Sequence, residues 1–158
     1  MGDDRLSALI ARFDDSVRAL QELLGGLAAD DWARVCRAEG WSVGLQGLHV
    51  ALGFRRQQGF LDDAFVRGKP ARFDWRETHA LNAQIAGRRR PSRRFVMRFL
   101  DEEAGRVRER LAILKAEDLD RTAIDYEGRL LTLDQFIRGF LIGHVEGPPS
   151  ASIRAAVP

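Results

Sequence analysis

Three histidines are the side chains of this sequence best suited to chemistry, and their neighbours set them apart from one another. His144 stands among Leu133, Ile137, Phe140 and Leu141, which at about 100° per residue share one helical stripe, so its imidazole is expected to face the interior. A buried imidazole needs a partner at each ring nitrogen: a metal ion, a carboxylate or a backbone carbonyl. His49 projects roughly 120° from the centre of the stripe Val43, Val50, Phe54, Leu61 and Phe65, where a pocket wall would run. His79 lies in a charged stretch and is expected to be solvated. Glu103 falls between Phe99 and Val107 on an apolar stripe. A carboxylate there is costly unless it meets a metal, a His or an Arg, or reaches water along the helix edge. Five arginines, Arg88, Arg89, Arg90, Arg93 and Arg94, surround Pro91-Ser92 and could grip an anion. No aromatic residues are interleaved with them for base stacking, and Asp101, Glu102 and Glu103 offer partners nearby, so a solvated face is expected. Cys36 sits in a connection and reads as a packing residue; no Gly-rich phosphate loop, nucleophile elbow or Cys-His pair at catalytic spacing is present.

Helices must position these groups. Leu6, Ile10, Phe13, Val17, Leu20, Leu24 and Leu27 alternate steps of four and three, the period of one helical face. Gly25-Gly26 frays that helix, and residues 28–39 read as a connection with about one helical turn. Ser42 can cap a second helix over about 43–67, which Gly68-Lys69-Pro70 would stop. A shorter helix is expected over 75–88. Pro91-Ser92 then caps a third long helix with the stripe Val96, Phe99, Leu100, Val107, Leu111 and Leu114. Residues 116–131 are irregular, with turn chemistry at Asp125-Tyr126-Glu127-Gly128-Arg129 for a small hairpin. Thr132-Leu133-Asp134-Gln135 is a capping box that opens a fourth long helix, and Gly147-Pro148-Pro149 ends it. The expected fold is all-α: an up-and-down four-helix bundle with a short extra helix and an irregular or hairpin segment before the last helix, in one domain spanning 1–158.

Gly40-Trp41-Ser42-Val43, followed by His49 seven residues after the serine, resembles the segment that carries the first metal ligand in the DinB-like and mycothiol-dependent maleylpyruvate isomerase N-terminal families. Arg67-Gly68-Lys69-Pro70, Leu81-Asn82, Ser92, Phe136-Ile137 leading to His144, and Ser152-Ile153-Arg154 keep the same order and approximate spacing along nearly the whole chain. The resemblance implies a divalent metal, zinc or nickel, held by one His of the second helix and two ligands four residues apart on the last helix. His49 matches the first ligand and His144 the second, while the third position is Pro148. Glu146 is turned roughly 200° from His144 and cannot replace it, which leaves Glu103 as the candidate third ligand.

With 25 basic against 23 acidic residues the charge balance does not call for a polyanion, and nucleic acid is not an expected partner. No apolar run approaches the ~20 residues that cross a bilayer, and the acidic amphipathic start is unlike a secretory signal, so a cytoplasmic protein away from membranes is expected. Two functions fit. The resemblance implies a metal-dependent transferase or isomerase that uses a low-molecular-weight thiol, the metal lowering the thiol pKa. The alternative is a metal-free member that binds a small molecule, or acts as a dimeric scaffold, in the cleft between the second and fourth helices. A homodimer is expected from a second apolar line on the second helix, Leu45, Leu48 and Leu52, with Gly44 and Gly47 between them. That line could instead be covered from within the same chain.

Overall fold

A computed structural model of the chain describes residues 2–88 and 90–158, so Arg89 of the arginine run lies outside the described residues, as do the side chains of Gly2 and Asp3. The chain is mostly helical. The first helix, α1 (Gly2–Gly25), buries Leu6, Leu9, Phe13, Val17, Leu20 and Leu24. A short 3₁₀ turn (Asp31–Ala33) leads into two two-residue strands, β1 (Val35–Cys36) and β2 (Trp41–Ser42), paired antiparallel. Gly40 makes the turn between them at φ +70°, a left-handed conformation that side chains disfavour. Helix α2 (Val43–Phe65) starts where Ser42 accepts a hydrogen bond from the Leu45 N–H, the cap its sequence specifies.

Strand β3 (Ala71–Phe73) precedes α3 (Trp75–Ala86), which Asp74 caps, and Ser92 caps α4 (Arg93–Ala112). After a 3₁₀ turn (Ala116–Asp120), β4 (Thr122–Tyr126) and β5 (Arg129–Thr132) form a hairpin. Its two-residue turn, Glu127-Gly128, has positive φ at both positions, the geometry that matches the twist of paired strands. Thr132 and Gln135 form the expected capping box at α5 (Leu133–Phe136). The helix then widens to a π turn (Ile137–Ile142), resumes as α6 (Gly143–Glu146), and breaks at Gly147 before α7 (Pro148–Ala156). The two prolines end one helix and open the next, because the first turn of a helix has no use for their missing N–H.

Two features correct the reading from sequence. The chain is not all-α: β1–β2 is one small sheet, and β3 pairs parallel with β4 to extend the hairpin into a second. A three-residue strand such as β3 leaves no periodicity to read, and its partner lies some fifty residues on, matching Ala71 to Ile124. The second correction concerns the leucines of α2. Leu45 and Leu48 are buried and Leu52 packs on the core. The connection supplies the cover: a Cβ on Gly44 would meet the Trp32 ring at 2.6 Å, and one on Gly47 would meet Val96 of α4 at 2.9 Å. The exposed patch expected to support a homodimer is therefore internal packing.

The buried residues of all the long helices form one hydrophobic cluster, with the Phe13 and Phe54 rings edge to face at 5.4 Å. No helix among the described residues is long and apolar enough to cross a membrane.

Candidate functional site

The site is built on one face of α2. Gln46, His49, Gly53, Arg56, Gln57 and Phe60 recur at steps of three and four and line a cavity of about 470 Å³. The last helix closes the opposite side with Gly139, Phe140, Gly143 and His144, α3 adds Trp75, Thr78, Leu81 and Asn82, and Phe73 of β3 projects into the gap. The parallel pairing of β3 with β4 thus has a local use: it carries Phe73 against Phe60, Tyr126 and Phe140, with ring centroids 4.9 to 6.4 Å apart.

His49 and His144 meet across this cavity, their ring centroids 4.8 Å apart, and Trp41 lies 5.4 Å from the His49 ring. Gly53 makes the approach possible. A Cβ there would stand 2.2 Å from His144 Nε2, so the imidazole rests on the backbone of α2. Both rings are held neutral. Burial lowers the His49 pKa, against the raising effect of the Glu39 charge. Burial first, then the charge of His49, lowers His144 to about 3.

Five buried polar atoms have no partner among the described residues: Glu39 Oε2, Gln46 Nε2, His49 Nδ1, Gln57 Oε1 and His144 Nε2. All five belong to residues that line this one cavity. Buried polar groups are paired almost everywhere else in proteins, since an unmade hydrogen bond costs about 1–3 kcal/mol. Their convergence marks a place where a ligand supplies the missing partners. The other end of two of these groups is fixed: Ser152 Oγ donates to Glu39 Oε1 at 2.8 Å, and Gln57 Nε2 donates to the Phe140 carbonyl within the π turn.

Arg56 supplies a cation to the wall but is largely committed. It donates to Thr78 Oγ1 at 2.6 Å and to the Asp74 carbonyl at 3.2 Å, pairs with Glu77 at 3.5 Å, and lies over the Phe60 and Phe73 rings. Burial lowers its pKa despite Glu77.

The candidate metal ligands divide. The 4.8 Å between ring centroids is near the roughly 5 Å of two imidazoles on one tetrahedral ion, but His144 Nε2 is pressed against the α2 backbone at Gly53. Glu103 is not with them. Its fully buried carboxylate accepts from Arg55 at 2.8 Å, Arg106 at 2.9 Å and Gln58 at 2.8 Å in the contact between α2 and α4. Burial acts to raise its pKa, but the hydrogen bonds from Arg55 and Gln58 and the charges of Arg55 and Arg106 win and lower it. A carboxylate on an apolar stripe was expected to need a metal, a His or an Arg, and two arginines fill that need. Glu146 turns to α1, bonded to Arg12 and Ser16. Position 148 contributes only a proline ring to the cavity rim. Among the described residues, no three His, Cys, Asp or Glu side chains are grouped to hold a metal ion. The donor set therefore does not fit the three-ligand centre that the resemblance implied.

Cys36 is buried in the core, and burial, followed by the Glu39 charge, pushes its thiol up to about 11, which keeps it protonated and unreactive. Of the arginine run, Arg93 donates to the Ala28 carbonyl at 2.9 Å and covers the Trp32 ring, so it ties α4 to the connection. His79 is exposed beside Trp75. The sequence reading missed Glu39, Gln46, Arg56 and Gln57. The last three carry a legible signal, a polar stripe at helical period running through His49; Glu39 lies in an irregular connection and carries none.

The mycothiol maleylpyruvate isomerase N-terminal domain family matches residues 13–139, a span that takes in His49 and stops before His144. No curated protein and no solved structure gives a match. A match over most of the chain, joined to a cleft that brings His49 of α2 to the last helix, places the protein: it belongs to the mycothiol maleylpyruvate isomerase N-terminal domain family, within the DinB-like superfamily.

Proposed function

We propose that this protein is a metal-independent member of its family that binds a small molecule in the cleft between α2, α3 and the last helix. One observation carries the reading: every buried side-chain nitrogen or oxygen that lacks a partner among the described residues belongs to a residue lining the same cavity. An apolar, aromatic-walled cavity of about 470 Å³ with a few convergent polar groups is the usual form of a small-molecule site. The donor set argues for metal independence. Two imidazoles with a proline at the third position hold zinc or nickel poorly compared with three ligands.

The thiol-dependent transferase or isomerase keeps one specific support, the family match itself, whose description names mycothiol. The two readings separate on metal content. Protein purified without a His-tag is expected to carry less than about a tenth of an equivalent of zinc or nickel, because two ligands fall short of the three that catalytic zinc sites use. Chelator is expected to leave its thermal midpoint unchanged. A stoichiometric metal whose removal lowers the midpoint overturns the proposal and restores the metal- and thiol-dependent enzyme.

A further inference from the structure

We infer that the ligand of this cavity is an amine: a small primary ammonium compound with an apolar or aromatic body. The inference rests on the small-molecule reading above and names the chemical class. Of the five unpartnered atoms, two can only accept a hydrogen bond. Glu39 Oε2 is a carboxylate oxygen whose twin already accepts from Ser152, and Gln57 Oε1 is fixed as the oxygen because the amide nitrogen donates to the Phe140 carbonyl. The Gln46 amide has no such anchor on its nitrogen, and rotation by half a turn exchanges its donor for an acceptor.

The cavity thus asks for donors at Glu39 and Gln57 and for positive charge beside the Glu39 carboxylate, and each neutral imidazole presents its free nitrogen, His49 Nδ1 or His144 Nε2, as an acceptor when the proton sits on the other ring nitrogen. An ammonium group is three N–H donors with no acceptor, so it meets obligate acceptors without bringing a lone pair that would need a donor of its own. Its bond to a carboxylate is charge-assisted and about twice as strong as a neutral one. A carboxylate ligand fares worse. It would set its charge against Glu39, and the cavity's cation, Arg56, already serves Thr78, the Asp74 carbonyl and Glu77. The rings of Trp41, Phe60, Phe73 and Phe140 offer the body of the ligand an apolar wall, and the Trp41 and Phe140 faces, unlike those of Phe60 and Phe73 that Arg56 covers, are left to favour a nearby cation.

The test is a titration of the full chain with three probes of one shape: 2-phenylethylamine, 2-phenylethanol and 3-phenylpropionate. Trp41 and Trp75 line the cavity, so intrinsic fluorescence reports binding, and calorimetry checks it. The amine is expected to bind at least roughly tenfold tighter than the alcohol or the acid, the margin a charge-assisted bond supplies. Glu39→Gln is expected to weaken the amine roughly 10- to 100-fold and the alcohol, which loses only a neutral donor's bond to the carboxylate, by a smaller factor. An acid or alcohol that binds as tightly as the amine, or a folded Glu39→Gln protein that keeps full amine affinity, overturns the inference while the cavity stands as a small-molecule site. Failure of all three probes overturns the inference and the proposed binding function together. The comparison among probes on the unaltered chain does not depend on the variant folding.

Discussion

At the scale of single residues, His144 makes the fold sensitive to acid. In the unfolded chain its imidazole takes a proton near the ordinary 6.5, whereas in the fold it stays neutral to about 3. Between those values the unfolded state binds the extra proton, so the contribution of His144 to stability is complete above pH 6.5 and drains away as the pH falls. The slope for one such group is about 1.4 kcal/mol per pH unit. His49, also lowered, acts in the same direction. Urea midpoints measured from pH 7 to pH 4 are expected to fall steadily for the wild type and less steeply for His144→Gln. Equal slopes would mean that the ring is not held neutral in the fold. His144 was legible from sequence because four apolar neighbours fix its direction, and His49 because a motif precedes it. Glu39 was not: it stands in an irregular connection, where no period tells which way a side chain points, and its place at the cavity depends on β1, β2 and Ser152 coming together from distant parts of the chain.

At the scale of elements, the joint between α2 and α4 shows which half of an ion pair matters. Glu103 is fully buried, while the side chains of Arg55 and Arg106 remain 57% and 53% exposed. Removing the acid leaves two arginines that water can solvate; removing the arginines strands a charge in the interior. Glu103→Gln, which can still bond with Gln58, is therefore expected to cost only about 1 kcal/mol. The double variant Arg55→Met with Arg106→Met is expected to cost about 3–5 kcal/mol. Urea denaturation ranks them, and a double variant no less stable than Glu103→Gln would refute the asymmetry. The pH dependence carries the same sign: a carboxyl lowered below 4.5 in the fold adds stability above that value and loses it as the pH falls through the folded pKa. The stripes of α1, α2 and α4 were readable because each buries one face at a constant period, whereas the π turn that breaks the period of the last helix left no signal. The two small sheets were not, since strands of two to five residues are specified by pairing with distant partners rather than by their own pattern. The leucines of α2 misled for a related reason: Leu45 and Leu48 mark an apolar face correctly, but sequence does not reveal that Trp32 and α4 lie against it.

At the scale of the whole molecule, the last helix must satisfy two fixed ends. Upstream, the Thr132–Gln135 capping box fixes its start at the end of β5, and the ion pair of Asp134 with Arg5 ties it to α1. Downstream, Glu146 is tied to Arg12 and Ser16, and α7 follows at once. The π turn between these anchors holds one residue more per turn than an α-helix would, so it works as a phase adjuster. Without the extra residue the two halves fall out of step by about 100°, the rotation of a single residue. Gly139 is the natural place to remove it, since even a Cβ added there meets nothing within 4 Å, so the residue itself carries no side-chain packing to lose. Deleting Gly139 should leave the chain folded, with Glu146 or Asp134 freed from its arginine and His144 swung off Gly53. Proton NMR would then lose the contact between the His49 and His144 rings, whereas a retained contact would mean that the wide turn is incidental. The site thus has room for a Cβ at Gly139 but not for a change in chain length there, and relatives that lack the residue would need their second histidine at a shifted position to reach the same cleft.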